Sequence, residues 1–377
     1  MPLFGSTLPD FPWDTLTEIR VKAAAYPEGA IDLTIGTPVD PIPAVIQNAL
    51  VDSADSPGYP PNLGSAQWNK VMREFLANQH RVRAAELLIF PALGSKEMVA
   101  LLPAMLGFGV EHCVAYPSIS YPTYEVGAKL AGAQQVKIDP ESNPDSWPTN
   151  ISLLWLNSPG NPDGHVLDVL QLRKIVAWAR RNNTIVVSDE CYSTLPWEVD
   201  SVPSLLSDEV CDGNADNLIL LYSFSKQSNM AGYRAAFVAG DAKLLHPVTE
   251  IRKHAGFMMS APVQEAMIAA ATNPEHIVEQ REVYRRRRNI LLAAVQKFGL
   301  RNDPLNRAGL YLWVDDPKGD RRAADLVQDF AELGIIVTPG SFYGEDGVKF
   351  VRISLTASDE EIEAAAQRLK SAVGSGK

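Results

Sequence analysis

The sequence has 377 residues, 46% hydrophobic and 21% charged, the balance of an ordinary globular protein long enough for two or three domains. Its 34 Lys and Arg against 45 Asp and Glu give a net charge of −11, which argues against a nucleic-acid or membrane-surface partner, because Lys and Arg supply that affinity. Three scattered cysteines (Cys113, Cys191, Cys211) exclude a disulfide framework, and no pair among the six histidines has zinc-template spacing.

The chain begins MPLFGSTLPDFPWD, without the basic start and apolar block of a signal peptide. The longest nearly uncharged apolar stretch, 98–110, contains Pro103 and two glycines and is too short to span a bilayer. A soluble, cytoplasmic protein is expected. A helix is expected over about 14–25, followed by the extended segment IDLTIG (31–36). The prolines of PVDPIP forbid a continuous helix, and Pro43 suits the first turn of the next one.

From there to about residue 240, short apolar strands alternate with helix-like segments. The strand candidates are 87–90, 112–116, 134–138, 151–156, 184–188, 217–223 and 235–240. Several are apolar nearly throughout, as parallel strands covered on both faces are. An amphipathic segment at 168–181 lies between two of them. This pattern predicts a doubly wound α/β domain with ligands at the carboxyl ends of its strands. After about 272 the texture changes to a charged helix over 275–298, then YLWVD, a helix near 321–333, IIVTP, VKFVRISL and a last helix from Ser358. A large α/β domain over 41–272 is expected, with 1–40 and 273–377 forming a smaller α+β domain. The arginine run 285–288 reads as a solvated helix face, partly neutralised by Glu279 and Glu282.

Four segments carry candidate chemistry. In SFSKQSNMAGYR (223–234), a strand ends in hydroxyls and Lys226 follows at once. A lysine amine condenses with an aldehyde, and Ser223, Ser225 and Arg234 have donors for a phosphate. In SDECY (188–192), Asp189 ends a strand and Tyr192 follows three residues later; this suits a pyridine nitrogen and a phenol contact. Cys191 between them reads as a packed side chain. NSPGNPDG (157–164) is a tight turn in which Asn161 offers an amide. ALGSKE (92–97) leads from a strand into a helix whose first N–H groups suit an anion.

Together, in this order and spacing, the segments resemble the class I and II aminotransferases, pyridoxal-phosphate (PLP) enzymes of fold type I. The resemblance runs from TIGTP near residue 34 to VRISL near 351. It implies a Schiff-base role for Lys226, pairing of Asp189 with the pyridinium nitrogen, and contacts from Tyr192 and Asn161 to the ring oxygen. Ser95 and Lys96 match the phosphate turn, joined by Ser223, Ser225 and Arg234. Tyr121 matches the aromatic stacked on the ring. Tyr59, in YPPNLG, matches a tyrosine that reaches the neighbouring subunit's phosphate, which implies a homodimer. Gly36 and Arg352 match positions that hold the substrate α-carboxylate. The usual N-P-x-N-P-T-G reads N-S-P-G-N-P-D-G here, and YPSISYP before Tyr121 is longer than in many relatives.

LPDFPWDTL, TIGTPVDPIP and GSKE further resemble the succinyldiaminopimelate aminotransferases of lysine and diaminopimelate biosynthesis. That resemblance implies small-molecule amino acid and 2-oxo acid substrates, N-succinyl-L,L-2,6-diaminopimelate and 2-oxoglutarate, each with a distal carboxylate. Arg20, Lys22 and Arg307 are the candidate cations for it. Transamination of another amino acid (aspartate, an aromatic amino acid or LL-diaminopimelate) and carbon–sulfur β-lysis are the alternatives.

Overall fold

The computed structural model describes residue 8, residues 12–84 and residues 86–374. Pro9, Asp10 and Phe11 of the LPDFPWDTL motif lie outside the described residues. Strands are numbered in chain order: β1 (Ile31–Asp32), β2 (Leu87–Leu93), β3 (Cys113–Pro117), β4 (Gln134–Ile138), β5 (Leu153–Asn157), β6 (Ile185–Asp189), β7 (Leu218–Ser223), β8 (Ala235–Asp241), β9 (Arg301–Asn302), β10 (Tyr311–Asp315), β11 (Ile335–Ile336), β12 (Thr338–Pro339) and β13 (Phe350–Ser354).

β2 to β8 form a seven-stranded sheet in the order β2-β8-β7-β6-β5-β3-β4. β8 runs antiparallel to both its neighbours, and the remaining pairs are parallel. The central strands are apolar throughout because both faces are covered. Leu154, Val186, Leu218 and Leu220 point into one buried layer, while Leu153, Trp155, Val187 and Ile219 point into the other. Alternate side chains of a strand leave on opposite faces, so both sets must be hydrophobic. The helix Val169–Asn182 covers the first layer, and Asp168 caps it by accepting the Gln171 N–H at 2.8 Å.

This topology sets the site. β7, β6 and β5 are adjacent and parallel, so their carboxyl ends place Ser223, Asp189 and Asn157 side by side, with Asn157 in register with Asp189. A ligand crevice at such strand ends is the general rule for open α/β sheets.

A second core lies among β10, β13 and the helices Glu275–Lys297, Ala323–Glu332 and Asp359–Gly374. Its sheet has the order β12-β13-β10-β9, and β1 pairs in parallel with β11. The IIVTP segment is two short strands rather than one. β11 faces β1, and β12 faces β13, so the chain changes partner at Val337. The first helix is also split, into a 3-10 turn over Pro12–Leu16 and an α-helix over Thr17–Ala24.

The arginine run departs from the solvated face expected of it. Arg287 is buried and pairs with Asp40 at 2.6 Å and with Asp359 at 2.7 Å; Arg288 is buried and pairs with Glu198 at 2.7 Å. Arg285 does pair with Glu282 at 3.2 Å. The cause is tertiary: the helix faces a core on one side, and its buried arginines meet acids distant in sequence. No helix among the described residues is long and apolar enough to cross a membrane.

Candidate active site

A cavity of about 440 Å³ opens at the carboxyl ends of β5–β7. Gly36, Ser95, Lys96, Tyr121, Asn161, Asp189, Tyr192, Ser223, Ser225, Lys226, Arg234 and Arg352 all line it. Tyr59 stands apart, 95% exposed. Among the distal cation candidates, Arg20 lines the cavity, whereas Lys22 pairs with Glu332 at 3.1 Å and Arg307 donates to the Val166 carbonyl at 3.1 Å.

Lys226 follows the end of β7, and its amine donates to the Gly36 carbonyl. Burial pushes the Lys226 pKa down, Arg352 and Arg234 push the same way, and Tyr311 and Cys191 oppose them. A neutral amine, the form that attacks a carbonyl, is thereby favoured.

One end of the cavity is built for an anion. Gly94 has φ +83°, and the helix Ser95–Met105 that starts there has no side-chain cap on its first N–H groups. Such a helix start presents N–H groups and a partial positive charge. The Ser223 hydroxyl donates to Ser225 Oγ at 2.8 Å and accepts the Ser225 N–H at 3.1 Å. Arg234, in the left-handed region at φ +57°, lays its guanidinium over Gly94. Glu97 braces the turn by accepting the Leu93 N–H at 3.1 Å and pairing with the buried Arg252.

Asp189 is buried at the centre. Burial raises its pKa, while hydrogen bonds from Cys191 and Tyr124 oppose the rise. The Tyr124 hydroxyl donates to Asp189 Oδ2 at 3.1 Å. Asn157 ties Asp189 to Asn161: its amide donates to the Asp189 carbonyl at 2.8 Å, and its Oδ1 accepts the Asn161 N–H at 2.7 Å. Cys191 lines the cavity, and its thiol donates to Ser95 Oγ at 3.3 Å.

At the other end, Arg352 on β13 is buried beneath the cavity. It donates to Asn161 Oδ1 at 2.9 Å and to the Thr34 carbonyl at 2.5 Å, and its guanidinium lies 3.9 Å from the Tyr311 ring centroid. Its Nε is buried without a hydrogen-bond partner among the described residues. A buried guanidinium with an unsatisfied N–H is a receptor for an anion. Tyr311 also lies 3.4 Å, hydroxyl to hydroxyl, from Tyr192, and a Cβ on Gly36 would come within 2.0 Å of the Tyr311 oxygen. A side chain at position 36 would therefore force the Tyr311 ring to shift.

The sequence reading missed Tyr124, Asn157 and Tyr311. Tyr124 had a signal: it sits one helical turn after Tyr121, beside the same strand ends. Asn157 had one too, as the residue that ends β5. Tyr311 had none, because YLWVD reads as a core strand. No cluster of potential metal ligands occurs among the described residues.

An anion-binding turn, a desolvated lysine and a buried carboxylate lining one cavity of this α/β fold fit pyridoxal phosphate and define an enzyme of the PLP-dependent class. Residues 28–369 match the family described as aminotransferase class I and II, and the chain belongs to that family, whose cofactor is PLP. It is similar to a probable aminotransferase of Mycobacterium tuberculosis, with 44% identity covering 97% of this chain and 86% of the relative. It is also 44% identical to the 4-dedimethylamino-4-oxo-anhydrotetracycline transaminase of Streptomyces rimosus, covering 96% of this chain and 99% of that one. Among solved structures, a probable N-succinyldiaminopimelate aminotransferase from Thermus thermophilus superposes with a TM-score of 0.84 at 26% identity, covering 96% of this chain and 100% of the other.

Proposed function

We propose that the protein transfers the amino group between N-succinyl-L,L-2,6-diaminopimelate and the 2-oxoglutarate/glutamate pair, in two half-reactions of a ping-pong cycle. The observation that carries this reading is that Lys226 shares one cavity with the anion-binding turn at Gly94 and the buried Arg352 guanidinium. When bound, PLP supplies an electron-withdrawing ring that takes up the electron pair left at the substrate α-carbon.

The chain's own residues do the rest. Ser95, Lys96, Ser223, Ser225 and Arg234, with the first N–H groups of their helix, hold the phosphate. Asp189 keeps a proton on the ring nitrogen, because an adjacent cation offsets the burial that otherwise raises its pKa. Asn161 and Tyr192 would contact the ring oxygen, and Tyr121 would stack on the ring. Arg352 takes the α-carboxylate, and Gly36 leaves room for it against Tyr311. The Lys226 amine, its pKa lowered by burial, takes the α-proton as general base.

The exposed Tyr59 suits contact with the phosphate of a partner subunit, so the working unit is a homodimer. Residues 41–272 form the PLP-binding domain, 1–40 with 273–377 form the smaller one, and the protein works in the cytoplasm. Three features support the substrate: the resemblance in the N-terminal and phosphate-turn segments, the similarity to the Thermus protein, and a further cation on the cavity wall. The similarity to the Streptomyces enzyme favours a ketone with a polycyclic skeleton as the second reading.

The test is the visible spectrum of the holoenzyme during addition of glutamate, and separately of N-succinyl-L,L-2,6-diaminopimelate. Bleaching of the yellow band by both, with a 2-oxo acid released, supports the named pair. Bleaching by glutamate alone keeps the transaminase and discards the substrate. In a third cuvette, release of a thiol, pyruvate and ammonia from a cysteine thioether, with no amino group passed to 2-oxoglutarate, would discard transamination for β-lysis.

A further inference from the structure

The charge inventory of the cavity leaves one cation without a task. Among the described residues, its wall carries five basic side chains, Arg20, Lys96, Lys226, Arg234 and Arg352, against one acid, Asp189. Lys96 and Arg234 lie at the anion-binding turn, Lys226 is the reacting amine, and Arg352 is the carboxylate receptor. Arg20 remains, and the contacts described next link it to Arg352.

Arg20 sits on the helix Thr17–Ala24, and its Nη1 donates to Asp32 Oδ2 at 2.6 Å. Asp32 Oδ1 accepts from the Thr34 N–H at 2.9 Å and from the Thr34 hydroxyl at 2.6 Å. The Thr34 carbonyl in turn accepts from Arg352. Both guanidinium groups are therefore tied to the segment 32–34. The segment is fixed, because the Ile31 and Leu33 N–H groups donate to the Gly334 and Ile336 carbonyls at 2.8 and 2.9 Å. Arg20 is not consumed by its ion pair: its side chain is 40% exposed, and its Nε and Nη2 make no further hydrogen bond among the described residues.

We propose that Arg20, oriented by Asp32, receives the distal carboxylate of the dicarboxylate substrates and so sets their preference over monocarboxylates. This deepens the proposed function and rests on its dicarboxylate pair. A planar fork held on one edge by Asp32 presents its other edge for a two-point contact with a carboxylate, which a lysine cannot reproduce.

The experiment uses the holoenzyme and two unreactive probes, glutarate and butyrate, whose binding is read from the shift of the visible band. Wild type is expected to bind glutarate more tightly than butyrate. Arg20→Gln should weaken glutarate about ten- to hundredfold, the worth of a charged hydrogen-bonded contact, and leave butyrate and the unliganded spectrum unchanged. Arg20→Lys should recover only part of the loss. In turnover, KM for 2-oxoglutarate should rise in Arg20→Gln while KM for pyruvate stays put. The proposal is overturned if wild type does not distinguish the probes, or if Arg20→Gln weakens both alike. Glutarate preference that depends on Arg20, in a protein that ignores succinyldiaminopimelate, would sink the named substrate and leave the Arg20 assignment standing. Unimpaired use of succinyldiaminopimelate by Arg20→Gln would do the reverse.

Discussion

Arg234 lies across Gly94 so closely that a Cβ at position 94 would sit 2.1 Å from its Nη2 atom. Two residues of positive φ meet there, Gly94 at φ +83° and Arg234 at φ +57°. A positive φ in a residue with a large side chain is uncommon and marks a place where surroundings dictate the backbone. Here it brings the guanidinium over an uncapped helix start, so two sources of positive potential converge on one point. Gly94→Ala therefore acts twice. The alanine is strained by about 1–3 kcal/mol in a backbone region that is essentially reserved for glycine, and its methyl group displaces the guanidinium. Titration with PLP, followed by its visible band, should show at least about tenfold weaker binding, the loss of one charged contact. Unchanged affinity would remove Arg234 from the phosphate site.

Lys226→Ala should abolish transamination yet still bind PLP, because the Gly94 turn, Arg234 and Asp189 remain. The bound cofactor should show the spectrum of a free aldehyde rather than of a lysine linkage. Measurable wild-type turnover by this variant would end the assignment of Lys226 as the base.

How much of this was legible beforehand depends on whether the signal is local. The central strands announced themselves because burial on both faces requires continuous apolar runs, unlike the largely exposed edge strand β4, and their ends brought Asp189, Ser223 and Asn161 into view. Lys226 and Arg234 were legible because one short segment supplies both. Arg287 was misjudged because its partners, Asp40 and Asp359, are 247 and 72 residues away, and no local spacing reports such a contact. Tyr311 was invisible for a related reason. It occupies a strand whose alternate residues fill a core, and only the approach of Gly36 and Arg352 from distant segments makes its ring part of the site.

Tyr124 gives a prediction that separates orientation from charge. Its hydroxyl donates to Asp189 Oδ2, and that hydrogen bond opposes the rise in the carboxyl pKa that burial causes. Tyr124→Phe keeps the ring stacked on Trp155, at 5.2 Å between centroids, and removes only the donor. Loss of one such bond, worth about 1 kcal/mol, should slow α-proton removal by roughly fivefold. Asp189→Ala should slow it far more, because the ring nitrogen then has no ionised partner. Equal, large losses in single-turnover rates for the two variants would mean that Tyr124 acts through packing instead.

His165 governs a pH dependence of stability outside the cavity. It bridges Glu141 at 2.8 Å and Asp303 at 3.1 Å. Burial pulls its pKa down, but the hydrogen bond to Asp303 and the charges of Asp163, Asp303 and Glu141 outweigh burial and lift it to about 9 from 6.5. A histidine whose pKa is higher in the folded than in the unfolded chain stabilises the protonated fold. The contribution is complete below pH 6.5 and is lost as pH rises through about 9. Its size is about 2 kcal/mol, after the partly exposed Glu141 is discounted for solvent screening. Urea denaturation at pH 6 and pH 9.5 should therefore show wild type losing about 2 kcal/mol more than His165→Gln over the interval, since every other titrating group is common to both. If the two proteins lose stability in parallel, the bridge is not charged at neutral pH, and His165 serves only as a neutral hydrogen-bonding spacer between Glu141 and Asp303.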